Sequence, residues 1–371
     1  IDSDHTLGTA EKLLEELSLG FTVQVQESKL NKELVKAMNE ATVSDRICIV
    51  TDDVPLPRLM EHGHMNYVVE RAIELGLDPV KAIRFATINC ATRLRLYHTG
   101  AIAPGNDADI QLVEDLRHPK PEVVIKDGNI VYEDSKFKVD IPAYIIPEDL
   151  KGSVNVKTVT TDDFKITVPV SKGFKGGTAI INTMKQDGSS IYTKLVQKEV
   201  NISEEHDGKA VVETSPYLKM AVFNRYGTYK HSLGIIDGMS NVQGAIAITY
   251  GHDAHNLTVY GGNDEDMAVA TNAVIQSNGG ICAVRNQKVL SLIPLPMAGL
   301  LSDLSIEDLY QEMKQLLLHA EEMGFVHQNL LTFLTLMTLA VSPEVKLSDL
   351  GLIDVINKKF LPLVASIEEN N

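Results

Sequence analysis

The sequence predicts an α/β protein of two or three domains, and three observations carry that prediction. Over roughly the first ninety residues, stretches with a helical apolar period alternate with stretches of strand period, in the order helix, strand, helix, strand. From about residue 97 the texture changes to short apolar strands around turn residues, and from about 155 a third region places strands first and gathers helices after Asp264. At 371 residues, 44% of them hydrophobic, the chain can bury a substantial core in each part.

Each element has its own signal. In residues 9–19 the apolar Ala10, Leu13, Leu14 and Leu17 recur at helical spacing, with Thr9 as N-cap and Gly20 as the stop. FTVQVQ at 21–26 alternates as a strand, NKELVKAMNEA at 31–41 returns to helix, and RICIVTDD at 46–53 is a β-branched run cut off by two aspartates. Such an order implies a parallel sheet with helices packed outside it, and parallel sheets gather reactive side chains at the carboxyl ends of their strands. His5 and Asp52 both suit that location. Helices are expected at 64–75 and 79–96, the second with Asp78 as N-cap and Pro79 in its first turn. A small β domain covers about 97–140, with Asp127-Gly128 as a hairpin turn, and the segment IPAYIIPEDLKGS has the prolines and mixed charge of a linker. Beyond it, FKITVPV, TAIINTM, KLVQKEV and GAIAITY are strands of a separate α/β domain.

Composition excludes several functions. A formal net charge of −16, with no basic run interleaved with aromatics, argues against nucleic acid and for a small-molecule ligand. Cys48, Cys90 and Cys282 stand singly in apolar contexts, as in a protein of a reducing cytoplasm. The longest apolar stretch, LLTFLTLMTLAV, is broken by threonines and falls short of the ~20 residues a bilayer span needs, so it is expected as a buried helix and no membrane association is expected. There is no phosphate-binding Gly-rich loop ending in Lys-Ser/Thr, no G-x-S-x-G elbow and no H-x-E with P-C-x-x-C, which leaves serine or cysteine nucleophiles without local support.

The polar clusters that remain are few. His5, in DSDH, is either a metal-ligating imidazole at a strand end or a capping or surface histidine. The carboxylates of TDD at 51–53 either cap the next helix or bind metal and move protons. HGH at 62–64 has the His-x-His form of binuclear sites, but it follows Leu59-Met60-Glu61 rather than an apolar strand and is a false lead. His252, Asp253, His255 and Asn256 follow one strand and precede another, and form either a polar turn or a ligand site. In NDEDM at 263–267, Asn263 or Asp264 caps a helix whose first turn is acidic.

Taken together, SDH at 3–5, IVTDD at 49–53, EHGHMNYVVERAIELGLDPVKAIRFATINCA at 61–91 and GAIAPGNDADIQLVEDL at 100–116 resemble the adenine deaminases of the amidohydrolase superfamily. NRYG at 224–227, GHDAHN at 251–256, GGNDEDMA at 261–268 and IPLPMAGLLSD at 293–303 resemble the additional C-terminal domain of those enzymes. The resemblance implies that residues 1–96 are the C-terminal half of a (β/α)8 metal-dependent hydrolase barrel, 97–150 a small β domain with a linker, and 151–371 the additional α/β domain. It implies a fragment that begins inside its barrel and is inactive by itself, with a His-x-His and other ligands upstream of Ile1.

The resemblance also assigns roles. His5 matches the histidine after the sixth barrel strand and Asp52 the aspartate after the eighth, so both would hold a divalent transition metal, manganese first, with iron or zinc as alternatives. The implied reaction is hydrolysis of adenine to hypoxanthine and ammonia in purine salvage, by a water whose pKa the metal lowers to nearer ~7. Asp52 would take the water's proton and pass it toward the departing amine, His5 would hold the metal, and Asp2 or Asp4 would fix the imidazole tautomer. Thr6 stands where the family commonly has Glu, and Ala254 where it has Ser. His252, Asp253, His255 and Asn256 would bind substrate at the barrel mouth, from a tight turn at Asp253-Ala254. A cytoplasmic homo-oligomer is expected. The alternatives are another amidohydrolase acting on a cyclic amide or amine, and a non-catalytic purine-binding relative.

Overall fold

The computed structural model describes residues 2–5, 8–142, 145–188, 191–204 and 207–370, so Thr6 lies outside the described residues. The chain divides into two compact units, residues 1–144 and residues 145–371.

The first unit opens with β1 (Ser3–Asp4), α1 (Ala10–Ser18), β2 (Thr22–Gln26), α2 (Lys32–Glu40) and β3 (Ile47–Val50). The strands form a parallel sheet in the order β1-β2-β3, with Asp4 level with Val23 and Val23 level with Ile47. Period-two alternation buries Val23 and Val25 completely, against Leu13 and Leu17 of α1 and Leu34, Val35 and Met38 of α2. Three of the helices start where a side chain satisfies a free N–H. Thr9 Oγ1 accepts from Lys12 N at 3.3 Å, Asn31 Oδ1 from Leu34 N at 2.9 Å and Asp78 Oδ1 from Lys81 N at 2.9 Å. Such caps are worth about 1 kcal/mol each.

After β3 come α3 (Leu56–His62), α4 (Met65–Glu74), α5 (Pro79–Ala86) and α6 (Ile88–Arg93). Helix α3 was not anticipated, because Pro55 and Pro57 mask its pattern; Pro55 takes the N-cap and Pro57 falls in the first turn, where a missing N–H is harmless. The single helix expected over 79–96 is two. Thr87, at φ −122° and ψ −93°, breaks it, with its hydroxyl donating to Ile83 O at 2.7 Å, while Asn89 Nδ2 ties α6 to Ser44 O and Ile47 O at 2.9 and 2.7 Å. The HGH motif lies on no strand: His62 ends α3 and stacks on Tyr67, Gly63 sits at φ +96°, and His64 caps α4. An antiparallel meander follows, of β4 (Ile110–Asp115), β5 (His118–Lys126), β6 (Asn129–Glu133) and β7 (Lys136–Phe137). Asp127 and Gly128 make its expected turn, both at positive φ.

In the second unit the strands are β8 (Thr167–Pro169), β9 (Gly177–Gln186), β10 (Thr193–Glu204), β11 (Lys209–Val212), β12 (Tyr217–Phe223), β13 (His231–Ser240), β14 (Ala245–Ile248) and β15 (Leu257–Gly261). They are followed by α7 (Asp264–Gln276), β16 (Gly280–Arg285), β17 (Lys288–Pro294), α8 (Ile306–Glu322), α9 (Leu330–Leu336), β18 (Val345–Ser348), β19 (Gly351–Asp354), β20 (Lys359–Leu361) and β21 (Val364–Glu369). Among the described residues the main sheet runs β17-β16-β14-β15-β12-β13-β9-β10-β11-β8, with β21 also on β9, and β13-β9 is its parallel pair. The domain is thus a largely antiparallel sheet with helices, and strands interleave with the helices beyond Asp264 instead of giving way to them. GICAVR shows why: an apolar run of strand length, buried through its first five residues, has no polar face for a helix to present.

Asn263 caps α7, its Oδ1 accepting from Asp266 N at 2.8 Å. The buried Asp266 carboxylate accepts in turn from Gln287 N at 2.6 Å and Asn286 N at 3.2 Å, in the positive-φ turn between β16 and β17. LLTFLTLMTLAV contains the buried α9, and no helix among the described residues is long and apolar enough to cross a membrane.

Candidate functional site

Because β1, β2 and β3 are parallel, their carboxyl ends share one edge of the sheet. Asp52 lies just past the end of β3 at φ +60°, a left-handed conformation that Asp tolerates better than most residues because its short side chain bonds locally. The bond is present: Asp53 N donates to Asp52 Oδ1 at 2.7 Å. Gln26 Nε2, from the last residue of β2, donates to Oδ2. The carboxylate is exposed and held by two neutral donors.

His5 follows β1 and is exposed, with its backbone N–H donating to Asp4 Oδ1 at 2.9 Å. Asp4 Oδ2 pairs with Lys12 at 2.8 Å, and Asp2 pairs with Arg93 at 3.1 Å. The acids expected beside the imidazole are thus engaged with cations and backbone. Asp4 is level with the first residue of β3 whereas Asp52 lies beyond its last, so His5 and Asp52 stand at different heights on the shared edge. Each offers a donor type that manganese, iron or zinc accepts, an imidazole nitrogen and a carboxylate oxygen, both open to solvent. Among the described residues no three His, Cys, Asp or Glu side chains converge as a complete metal site requires.

The second polar cluster is the connection between β14 and β15, which are antiparallel neighbours. It turns tightly over 252–254, where the turn was expected, and His255 sits at φ +49°. His255 N donates to Gly251 O at 2.9 Å and Gly251 N donates to His255 Nδ1 at 3.3 Å, which leaves any ring proton on Nε2. Burial, then the nearby positive charge of Arg225 and His252, holds the His255 pKa below its ordinary value, against the opposing pull of Asp253. The imidazole is neutral near pH 7 and the two rings lie 6.4 Å apart. His252 is anchored by its backbone, N–H to Thr335 O at 3.0 Å and O from Thr338 Oγ1 at 2.6 Å, which leaves its half-exposed ring at the surface.

Asp253 is exposed, whereas Asn256 is buried with both ends of its amide engaged: Oδ1 accepts from Arg225 N at 3.3 Å and Nδ2 donates to Asp349 Oδ1 at 3.2 Å. Asn224 Nδ2 donates to Asp349 Oδ2 at 2.9 Å, and Tyr226 OH donates to Ala254 O at 2.6 Å. The NRYG segment therefore clamps the second half of the GHDAHN loop. Arg225, Tyr226 and Asp349 were not singled out in the sequence. NRYG was visible as a motif without a role, and nothing near Asp349 signals a partner so remote in the chain.

Residues 6–132 match the amidohydrolase family, and residues 190–359 match the adenine deaminase C-terminal domain. Over nearly its whole length the chain resembles proteins described as adenine deaminases. That of Thermosipho africanus is 34% identical over 99% of this chain and 62% of its own length. That of Clostridium botulinum strain 657 is 36% identical over 97% of this chain and 60% of its own, and adenine deaminase 1 of Carboxydothermus hydrogenoformans is 36% identical over 98% and 60%. The chain spans about 60% of the length of these curated relatives.

Proposed function

We propose that the protein is a metal-dependent adenine deaminase that hydrolyses adenine to hypoxanthine and ammonia. The observation that carries this reading is an exposed carboxylate, Asp52, held by two neutral donors past the end of a parallel strand, in a chain that resembles adenine deaminases along 97–99% of its length. On this reading residues 1–96 belong to a (β/α)8 barrel, 97–150 to a small β domain and linker, and 151–371 to the family's C-terminal domain. His5 and Asp52 would each give one donor to a divalent ion, manganese in our reading, with iron and zinc as the other candidates. When bound, that ion supplies Lewis acidity that eases deprotonation of water near neutral pH.

Asp52 does the proton work. One of its carboxylate oxygens takes the proton from the water that attacks C6, and returns it to the exocyclic nitrogen as the C6–N6 bond breaks. Gln26 and the Asp53 N–H fix the carboxylate so that little reorganisation accompanies transfer. We propose that His252, Asp253, His255 and Asn256 contribute to purine binding, with the neutral His255 ring as a hydrogen-bonding surface and Asn256 as the fixed end of the loop. We also propose that it is a cytoplasmic homo-oligomer serving purine salvage.

Asp52→Asn in the full-length protein tests the proposal. Removal of an essential general base lowers kcat by about 10²–10⁴-fold, with an unchanged circular dichroism spectrum. Hypoxanthine formation by the variant at the wild-type rate would overturn the role given to Asp52, and absence of adenine turnover in the wild type loaded with manganese, iron or zinc would overturn the proposed activity.

A further inference from the structure

Arg225 carries a positive charge into the interior of the second unit without a counter-ion among the described residues. Its residue is 3% exposed, yet Nε and Nη1 have no hydrogen-bond partner. The acid tied into the same cluster, Asp349, spends its two oxygens on Asn224 and Asn256. The Tyr226 ring lies 5.3 Å from the guanidinium carbon, a cation–π contact that offsets part of the charge burial but accepts neither N–H in its plane. Buried guanidinium groups are otherwise paired, because an uncompensated buried charge is strongly destabilising.

A second orphan sits beside it. Ser153 Oγ is buried without a partner. Ser153 and Arg225 meet at Gly299, where a Cβ would collide with Arg225 Nη1 and stand 3.4 Å from Ser153 Oγ. Gly299 has φ +68° and its carbonyl is fixed by Thr249 Oγ1 at 2.7 Å, so the absence of a side chain there belongs to a held conformation. Three segments far apart in sequence thus bring a guanidinium, a hydroxyl and the glycine backbone on which the guanidinium packs to one place, with donors that meet no acceptor among the described residues. The positive potential is felt nearby, since Arg225 helps to keep His255 neutral in a chain whose net charge is −16.

We propose that Arg225 and Ser153 form a binding site for a small oxyanion, a carboxylate or inorganic phosphate, held by the guanidinium that packs on Gly299. The anion accepts from the guanidinium N–H groups and from the serine hydroxyl, neutralises the buried cation and is shielded from water, where charge-assisted hydrogen bonds are strongest. The site requires no metal and is tested by binding alone, which separates its failure from that of the deaminase reading.

Thermal unfolding of the full chain is followed while sodium formate or sodium phosphate is raised at constant ionic strength against sodium chloride, and the affinity is measured by calorimetry. A ligand that binds only the folded state raises Tm in a saturable manner. The expected result is such a rise with formate or phosphate, absent in Arg225→Met and shifted to at least about fivefold higher anion concentration in Ser153→Ala, which loses one donor. In chloride, Arg225→Met should melt at or above the wild-type temperature, because it removes an unpaired buried charge. Absence of a saturable anion-specific rise in the wild type overturns the proposal, as does the same rise in both variants. Should Arg225→Met fail to fold, Ser153→Ala decides: a titration identical to that of the wild type overturns the site.

Discussion

At the strand ends of residues 1–144, Asp52 and His5 stand exposed, each fixed by bonds to its own chain neighbour and, for Asp52, by one side chain from the next strand. In residues 145–371 the loop carrying His252 to Asn256 is gripped on several sides, by Thr335 and Thr338, by Tyr226, and through Asn256 by Arg225 and Asp349. The difference is one of what each region can do alone. Open donors at strand ends can still meet a metal or a substrate, whereas a gripped loop presents a shape already set, and the exposed parts of it, the His252 ring and Asp253, are what it offers outward.

Three substitutions sharpen that contrast, in addition to the loss of turnover at Asp52. The largest effect on stability is expected at Gly299. Alanine there must adopt φ +68° and displace Arg225, so Gly299→Ala should destabilise the folded chain by about 2–4 kcal/mol, from overpacking and backbone strain together. Urea unfolding measures it; a loss under 1 kcal/mol would show that the grip is looser than its geometry.

The next effect is pH-dependent. Lys346 on β18 is fully buried, its Nζ donating to Ile191 O at 2.7 Å, and burial lowers its pKa from 10.5 to about 8. Above about pH 8 the folded state releases a proton that the unfolded chain keeps until about 10.5, so this residue's contribution to stability rises between those values. Relative to Lys346→Met, the wild type should gain up to about 3 kcal/mol across that window. An unchanged difference between the two proteins from pH 7 to pH 10 would refute the burial of the charge. The smallest effect belongs to the meander of the first unit. Gly128→Ala meets no atom closer than Ala108 Cβ at 4.0 Å, so only its φ of +77° resists, and a loss of about 1 kcal/mol is expected. A loss as large as that at Gly299 would remove the contrast between strain alone and strain with collision.

Much of the local structure was legible in the sequence because its causes are local. Thr9, Asp78 and Asn263 cap helices through a bond to the third residue on, and Asp127-Gly128 supplies two positive φ angles, all within four residues. The placement of Asp52 and His5 past parallel strands followed from the alternation of periods. What was not legible depends on partners distant in the chain. The break at Thr87 is supported by Asn89 reaching back to Ile47, and the strands of residues 345–369 are defined by pairing with each other and with β9. Asn256 was singled out for its polarity, but its engagement with Arg225 and Asp349 exists only once three remote segments have met.

The Asp266 carboxylate bears on the order in which this assembly can take place. One side chain receives the N-terminal amide environment of α7, through Asn263, and the backbone of the turn at Asn286 and Gln287. Helix α7 and the β16-β17 hairpin are thereby closed on one another across a short stretch of chain, and the entropy lost in closing a loop grows with its length. That helix and hairpin can be organised while the segments bearing Ser153, Arg225 and Asp349 are still searching for one another. Contacts of short range set the pace of folding where long-range pairing is slow, so an early kinetic phase of the second unit is expected to report on Asp266, and a later one on the burial of Arg225.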